Sequence, residues 1–395
     1  MKKVLLFIVY IFLFVLNSKT QVNLVPNPSF EQLSQCPTFL SQLEYATPWF
    51  QPYTDSNGVQ QSSTDLFSSC CAGFCGLINS SGTQLPRTGN TYAGAYYYIN
   101  IGTAREFIEV KLNNSLSVNK SYCVNFYVNL RDKSRYATSN FGVYFSEDSC
   151  LAPLPPNLIP YIPQIENPYN NVITDKINWV PIELEYLAQG GENFITIGGF
   201  KPDSLSNVII VDNSSQLLAY YYIDDVSVID ISTPAYAGVD TNIALGDSVF
   251  IGRQPEIGLN DDCVWYVNGN PIDTVAGLWV QPDSTTTYIL EQTICGYITY
   301  DTVTVTVLPT GIDSYSNKNA QFEVFPNPAN NTFTIKSQES IIAVFKLIDL
   351  TGKEILKQNI TTNITQIDIQ ALPKGIYFYQ ITNKKEQYSG KLVVQ

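Results

Sequence analysis

Short runs of alternating polar and apolar residues dominate this 395-residue chain. Gly, Pro, Asn or Asp separates one run from the next, a pattern that is typical of β-sandwiches. No convincing helical periodicity occurs beyond the N-terminal segment. Tyr, Asn, Thr and Ser are plentiful while charged residues make up only 14% of the chain, a composition that suits half-buried pleated sheets. The sequence therefore predicts an all-β protein.

The N-terminal segment has the features of a secretory signal peptide. Lys2 and Lys3 precede an unbroken apolar run that extends from Val4 to Leu16. This run is too short to span a bilayer comfortably and fits the hydrophobic region of a signal peptide. We predict a signal peptide at residues 1–20, and no cysteine follows the run to form a lipoprotein anchor.

Charge and histidine content exclude several classes of function. The net charge of −13 disfavours nucleic acid as a partner. The chain has no histidine, which excludes serine or cysteine triads and zinc sites that depend on imidazole. Carboxylate chemistry remains possible, and Glu183 and Glu185 are the best pair because they share one face of a predicted strand. Nothing else supports this pair, so we expect no enzymatic activity.

Turn-rich and polar stretches divide the rest of the chain into three modules. The first covers residues 22–232, the second residues 233–308, and the third residues 320–395 after a linker at 309–319. Strands are predicted in the first module at 105–112, 121–130, 141–146, 179–186, 194–199 and 220–231. Runs at 248–252, 263–267, 286–291 and 297–308 predict that the second module is a small sandwich that is immunoglobulin-like or PKD-like.

Eight cysteines in an exported chain indicate disulfides rather than a metal cluster. If residues 121–130 and 141–150 form a hairpin, Cys123 lies opposite Cys150, so we predict a bridge between them. Cys263 and Cys295 are the only cysteines of the second module and are expected to pair. The spacing does not determine how Cys36, Cys70, Cys71 and Cys75 pair with one another.

Three motifs in order mark the third module. They are Pro326-Asn327-Pro328, then Gly352-Lys353, and then Gly375 with Tyr377. In order and spacing the segment resembles the type A C-terminal sorting domain of the type IX secretion system of Gram-negative bacteria. The resemblance implies a second small immunoglobulin-like sandwich, passage across the outer membrane by the secretion machinery, and removal by a surface sortase. It also implies that the mature protein is secreted or displayed on the outer cell surface.

The two ends of the first module carry a second resemblance. Residues 23–31 and 220–228 are similar to the first and last strands of galactose-binding-like jelly rolls, the fold of many carbohydrate-binding modules. This resemblance implies a jelly-roll β-sandwich followed by the two small sandwiches. It also implies a possible structural Ca²⁺ held by Glu31 and Asp224, with Asp225 as an alternative, and no cofactor is otherwise required.

Aromatic residues near polar ones suggest ligand contacts, because sugar C–H faces stack on rings. Trp49 and Tyr53 follow prolines in a predicted loop, and Trp179 begins a predicted strand, so these three are the candidates. The leading hypothesis is a non-catalytic surface protein that binds glycans or a neighbouring cell or matrix. A structural surface-layer component and a carboxylate-based glycan hydrolase are the alternatives.

Overall fold

The computed structural model describes residues 21–54, 60–61, 63–100, 102, 104–150, 152–153, 159–260, 262–308, 322–337, 342–383 and 387–395. The predicted signal peptide at 1–20 and the predicted linker at 309–319 lie outside these residues. The described part of the chain has no helix with the length and apolar character needed to cross a bilayer. The chain divides into two compact units, Met1–Pro309 and Thr310–Gln395.

The first module consists of strands joined by loops and two short 3₁₀ helices, Leu43–Tyr45 and Asp203–Leu205. Its strands are β1 (Tyr53–Thr54), β2 (Gln60–Gln61), β3 (Asp65–Ser68), β4 (Ile78–Asn79), β5 (Gly82–Thr83), β6 (Thr91–Ile99), β7 (Phe107–Lys111), β8 (Ser121–Leu130), β9 (Tyr136–Thr138), β10 (Gly142–Ser146), β11 (Ala152–Pro153), β12 (Ile165–Glu166), β13 (Val180–Leu187), β14 (Phe194–Gly198), β15 (Val208–Ile210) and β16 (Leu218–Asp230).

Two antiparallel sheets form the sandwich of this module. One has the strand order β13-β8-β16-β6-β3 and the other the order β12-β10-β14-β7. Alternate residues of both sheets point into one shared core, for example Phe126 of β8 and Ile197 of β14. The N-terminal stretch runs beside β16, with the Leu24 N–H donating to the Val228 carbonyl at 3.0 Å. The predicted β-sandwich class is confirmed.

The second module is a smaller sandwich. Its strands are β17 (Thr241–Ala244), β18 (Val249–Gly252), β19 (Cys263–Val267), β20 (Asn270–Asp273), β21 (Gly277–Val280), β22 (Thr286–Ile294) and β23 (Tyr297–Leu308). A five-stranded sheet, β17-β23-β22-β19-β20, is accompanied by the pair β18-β21. Trp265 fills the core, and its indole N–H donates to the Val275 carbonyl at 2.8 Å.

A disulfide between Cys123 and Cys295 joins the first two modules. The predicted Cys123–Cys150 bridge is wrong because β8 and β10 lie in different sheets and do not form a hairpin. The predicted Cys263–Cys295 bridge is wrong as well: Cys263 on β19 lies opposite Gln292 of β22, and Cys295 lies in the turn after β22. Cys150 is a buried thiol.

Apolar and polar contacts support this covalent link between the modules. Ile229 and Ile231 of the first module pack with Leu259 and Ile294 of the second. Asn23 adds a polar contact, because its backbone N–H donates to Glu256 Oε1 at 2.7 Å. The first two modules therefore form one compact unit and are not independent domains joined by a flexible linker.

The C-terminal unit is a third sandwich. Its strands are β24 (Phe322–Phe325), β25 (Thr332–Ser337), β26 (Ala343–Ile348), β27 (Glu354–Ile360), β28 (Ile364–Asp368), β29 (Gly375–Thr382) and β30 (Gln387–Val394). They form the sheets β24-β25-β28 and β27-β26-β29-β30 around a core that includes Phe333, Phe345 and Leu392.

Candidate functional site

Two of the three predicted ligand-binding aromatic residues belong to the core. Trp49 is 1% exposed, and its indole N–H donates to the Asn27 carbonyl at 2.8 Å. Tyr53 is also 1% exposed and packs beside Phe107. Neither ring offers a face to a ligand, so both predictions are wrong. The reason is local: Phe50, which lies between them, forms a β-bridge with Glu109 that folds this segment onto the sheet edge instead of into an open loop.

Trp179 is half-buried over the outer face of the five-stranded sheet. Its indole N–H donates to the Leu85 carbonyl at 2.9 Å, and its ring meets Tyr92 edge-on at 5.7 Å. These contacts give the ring a structural role, and its ligand-binding role stays a prediction.

The predicted calcium residues both contact residues 87–91, the loop that leads into β6 together with the first residue of that strand. Glu31 Oε1 accepts the backbone N–H groups of Asn90 and Thr91 at 2.7 and 2.8 Å. Asp224 Oδ2 accepts the Arg87 N–H at 2.8 Å. Gly89 has φ +65°, and a Cβ there would lie 2.4 Å from the Glu31 carboxyl group, so this close approach requires glycine.

Arg87 provides the positive charge at this junction. Its guanidinium lies 2.6 Å from Asp225 Oδ2 and 3.6 Å from the centre of the Tyr127 ring. Thr88 Oγ1 donates to the other Asp225 oxygen at 2.6 Å. Burial, and then the neighbouring Asp225 charge, raise the pKa of Asp224 well above its ordinary value.

N–H and O–H donors point at these carboxylates from the loop. Ca²⁺ requires oxygen ligands that are free to coordinate it, and donor hydrogens repel a cation. The arrangement of Glu31, Asp224 and Asp225 therefore does not fit a calcium ion. Backbone N–H groups of the loop and the Arg87 guanidinium already bind these carboxylates.

Glu183 and Glu185 lie on the exposed face of β13, next to the second module. Tyr297 donates its hydroxyl to Glu185 at 3.1 Å. Partial burial, and then the Asp262 charge, raise the pKa of Glu183. Glu183 also lies within 4.8 Å of Cys123 and Cys295, the one such trio among the described residues, but both sulfurs are consumed by their disulfide. This pair is thus part of a module contact.

The cysteines whose pairing the sequence left open build an exposed structure, which we call the cysteine tip (residues 36–42 and 69–76). Disulfides join Cys36 to Cys70 and Cys71 to Cys75. The tip presents Phe39 and Phe74, which are 56% and 55% exposed and have ring centroids 5.5 Å apart. Sequence reasoning missed both rings, although the closely spaced cysteines marked their position.

The cysteine tip is braced by hydrogen bonds as well as disulfides. Gln42 Oε1 accepts the backbone N–H groups of Thr38 and Phe39 at 2.8 and 3.0 Å. Ser41 donates its N–H to the buried Asp65 of β3 at 2.8 Å, which anchors the tip to the sheet.

A second exposed aromatic contact lies on the second module. Trp279 of β21 is 69% exposed and meets Phe250 of β18 at 5.8 Å. None of the described residues accepts a hydrogen bond from its indole N–H, unlike the other three tryptophans, which all donate to a carbonyl.

The first motif of the C-terminal unit contacts the last strand of the domain. Asn327, between Pro326 and Pro328, donates to the Lys391 carbonyl at 2.5 Å and accepts the Val393 N–H at 2.9 Å. This side chain ties the first motif to the final strand.

The other two motifs form turns. Gly352 has φ +85° in the turn between β26 and β27, where Asp349 Oδ1 accepts the Lys353 N–H at 3.1 Å. Gly375 begins β29, and the Tyr377 hydroxyl donates to the Pro373 carbonyl at 2.8 Å.

Residues 323–395 match the family model for the secretion system C-terminal sorting domain. The C-terminal unit is a secretion-system sorting domain. The predicted C-terminal sorting domain is confirmed, and it identifies the chain as a protein secreted to the cell surface by the type IX system.

Solved structures with similarity to parts of the chain include two from Porphyromonas gingivalis. PorZ, described as a surface component of the type IX secretion system of Porphyromonas gingivalis, is 18% identical over 27% of this chain and 15% of its own, with a TM-score of 0.17. The K1 cleaved adhesin domain of Lys-gingipain from P. gingivalis W83 is 13% identical over 53% of this chain and 98% of its own, with a TM-score of 0.29. The chain thus spans only a small part of the length of PorZ. No curated protein matches the chain.

Proposed function

We propose that this protein is a non-catalytic binding protein of the cell surface and that its ligands are glycans. The observation that carries the proposal is the exposure of aromatic rings on a rigid frame. Phe39, Phe74 and Trp279 are each more than half exposed although each contacts another ring. The disulfides of the cysteine tip and the Cys123–Cys295 bridge hold these rings on one unit. Pre-positioned aromatic side chains are what a binding surface needs.

The proposal includes the fate of the sorting domain. We propose that a surface sortase removes residues from about 320 onward after export and leaves the first two modules outside the cell. No residue of the sorting domain then takes part in ligand binding.

A glycan array tests the binding function. The purified full chain, without residues 1–20, is expected to bind immobilised glycans and to release no reducing sugar from them. The variant Glu183→Gln/Glu185→Gln should bind as the unaltered protein does. Absence of binding to every glycan would favour a structural surface-layer role. Release of reducing sugar that is lost in the double variant would establish the hydrolase instead.

A further inference from the structure

We infer that the glycan site is the cysteine tip and that its ligand is a neutral saccharide. The inference rests on the proposed binding function, and it adds the location of the site and the charge class of the ligand.

The two rings of the tip form a corner. The planes of Phe39 and Phe74 are inclined by 72°, with centroids 5.5 Å apart. One ring can therefore stack on the C–H face of a pyranose while the other closes one side of it. The neighbouring polar groups are the hydroxyl of Thr38, which is exposed, and the Nε2 group of the half-buried Gln42, which lies 3.5 Å from that hydroxyl. These uncharged groups can exchange hydrogen bonds with sugar hydroxyls.

The backbone of the cysteine tip is preorganised for ligand binding. Cys36–Cys70 joins its two segments, and Cys71–Cys75 closes a loop in which three residues, among them Phe74, lie between the cysteines. Gln42 fixes the backbone at Phe39. Little conformational entropy is therefore lost when a ligand orders these rings, and this raises affinity for a small ligand.

Absence of charge identifies the class of saccharide. Residues 32–43 and 66–86 contain no Asp, Glu, Lys or Arg, in a chain whose net charge is −13. Asp65, which contacts the tip by accepting the Ser41 N–H, is 5% exposed and also accepts the Tyr220 hydroxyl. Arg131 and Lys133 contact the second segment only at Ser81 and Ser80, outside the cysteine tip. A sialylated or sulfated glycan would therefore find no Lys or Arg within the tip itself, whereas a neutral sugar needs none.

The size of the patch favours a sugar over a protein. A fully used aromatic side chain contributes about 150–250 Å², so two half-exposed rings offer about 200 Å². A stable protein interface uses about 800 Å² on each partner. The ring pair matches one or two sugar units and falls well short of a protein footprint.

The test compares variants of the full chain on the same array of neutral oligosaccharides and their sialylated and sulfated counterparts. Phe39→Ser/Phe74→Ser should weaken binding to neutral glycans at least about tenfold, or about 1.4 kcal/mol. Both side chains are exposed, so the thermal midpoint should not change. Ile78→Ser is the matched control, because Ile78 is 73% exposed in the same uncharged stretch but lies outside the ring pair. It should retain binding within about twofold.

Each other outcome overturns a defined part of the inference. Binding that survives in Phe39→Ser/Phe74→Ser but is lost in Trp279→Ala would move the site to the second module and leave the proposed function intact. Preference for acidic glycans would refute the neutral class. If Phe39→Ser/Phe74→Ser lost only adhesion to protein-coated surfaces, the partner of the tip would be a protein instead of a sugar. Failure of the unaltered protein to bind any glycan would refute both the inference and the proposed function.

Discussion

At the scale of single residues, the junction of Arg87, Asp224 and Asp225 shows how sequence reasoning can find a site and misjudge its chemistry. The resemblance to jelly rolls drew attention to Glu31 and Asp224, and the structure brings both to one loop. What the sequence could not reveal is that residues 87–91 turn their N–H groups inward. That orientation depends on the path of a loop more than fifty residues away from Glu31, and no local pattern specifies it.

Removing the Arg87 charge is expected to destabilise the first module. Asp225 has a side chain that is 0% exposed, so Arg87→Gln leaves a buried carboxylate without its cation. We expect a loss of about 2 kcal/mol in the free energy of unfolding, below the usual cost for a fully buried pair because Arg87 itself is 23% exposed. Urea unfolding at pH 7 measures it.

A double variant separates charge from packing at the same junction. Arg87→Gln/Asp225→Asn removes both charges and should recover part of the lost stability. Lys336→Gln, in an exposed pair with Glu323 at 3.9 Å, is the control and should change stability by less than about 0.5 kcal/mol. An Arg87→Gln protein as stable as the original would show that the loop amides suffice.

The buried Glu106 leads to a prediction about how the stability of the folded protein depends on pH. It is 3% exposed and accepts the Tyr96 N–H at 2.9 Å, and burial followed by the Asp65 charge raises its pKa well above 4.5. The folded state therefore binds this proton more tightly than the unfolded state, so stability is gained at low pH and lost as pH rises through the folded pKa. Glu106→Gln, measured by unfolding between pH 5 and 8, should show a smaller loss of stability with rising pH.

The exposed Glu44 provides the comparison for that experiment. Glu44→Gln removes a carboxylate from the 3₁₀ helix at Leu43–Tyr45 without touching the buried cluster. It should leave the pH dependence as it is in the unaltered protein. If the free energy of unfolding fell with pH as steeply in Glu106→Gln as in the unaltered protein, another buried carboxyl group, such as Asp65, would dominate the pH dependence.

At the scale of strands, the local sequence was a reliable guide to where strands lie but not to how they pair. The predicted runs 121–130 and 297–308 coincide with β8 and β23. In β23 the buried residues Val303 and Val305 alternate with more exposed ones, and this pattern is visible locally. Most residues of β8 are buried, so its length and its Tyr, Val and Phe content, rather than alternation, indicated a strand. The partner of a strand depends on which sheet it enters, and β9 between β8 and β10 leaves to pair with β15. The assumption of a simple hairpin between residues 121–130 and 141–150 failed for that reason.

Asn327 links two strands of the sorting domain that are far apart in sequence. Its side chain holds both the Lys391 carbonyl and the Val393 N–H of β30. Asn327→Ala should lower the stability of the sorting domain by about 1–2 kcal/mol, the worth of two hydrogen bonds at an exposed site. Limited proteolysis of the full chain should detect earlier cleavage within residues 322–395. The exposed neighbour Asn330→Ala is the control, and equal cleavage of both variants would contradict the role of Asn327.

At the scale of the whole molecule, the Cys123–Cys295 bridge spans 172 positions and connects modules that the sequence suggested were separate. Pairing cysteines within one module is the natural assumption from sequence. The contact of Ile229 and Ile231 with Leu259 and Ile294, which brings these sulfurs together, is not visible locally.

Peptide mapping without reduction tests this connection. Cys123 and Cys295 peptides should be recovered as one disulfide-linked species from the exported protein. Cys123→Ser/Cys295→Ser should lose about 3–5 kcal/mol, because a cross-link over so long a loop restricts the unfolded chain strongly. Recovery of Cys123 with Cys150, or of Cys263 with Cys295, would show that the modules are joined by contacts alone.

The sorting domain and the first two modules have separate proposed roles, and this leads to a prediction that can be tested in cells. Deletion of residues 320–395 leaves the cores and all three disulfides of the first two modules untouched. The truncated protein should therefore fold but accumulate in the periplasm, while the full chain reaches the surface and loses a fragment of that size. Fractionation and surface proteolysis measure both. Because Asn327→Ala weakens the same domain without removing it, its surface level should fall between the two. Equal surface display of truncated and full-length chains would show that the export signal lies in the first two modules.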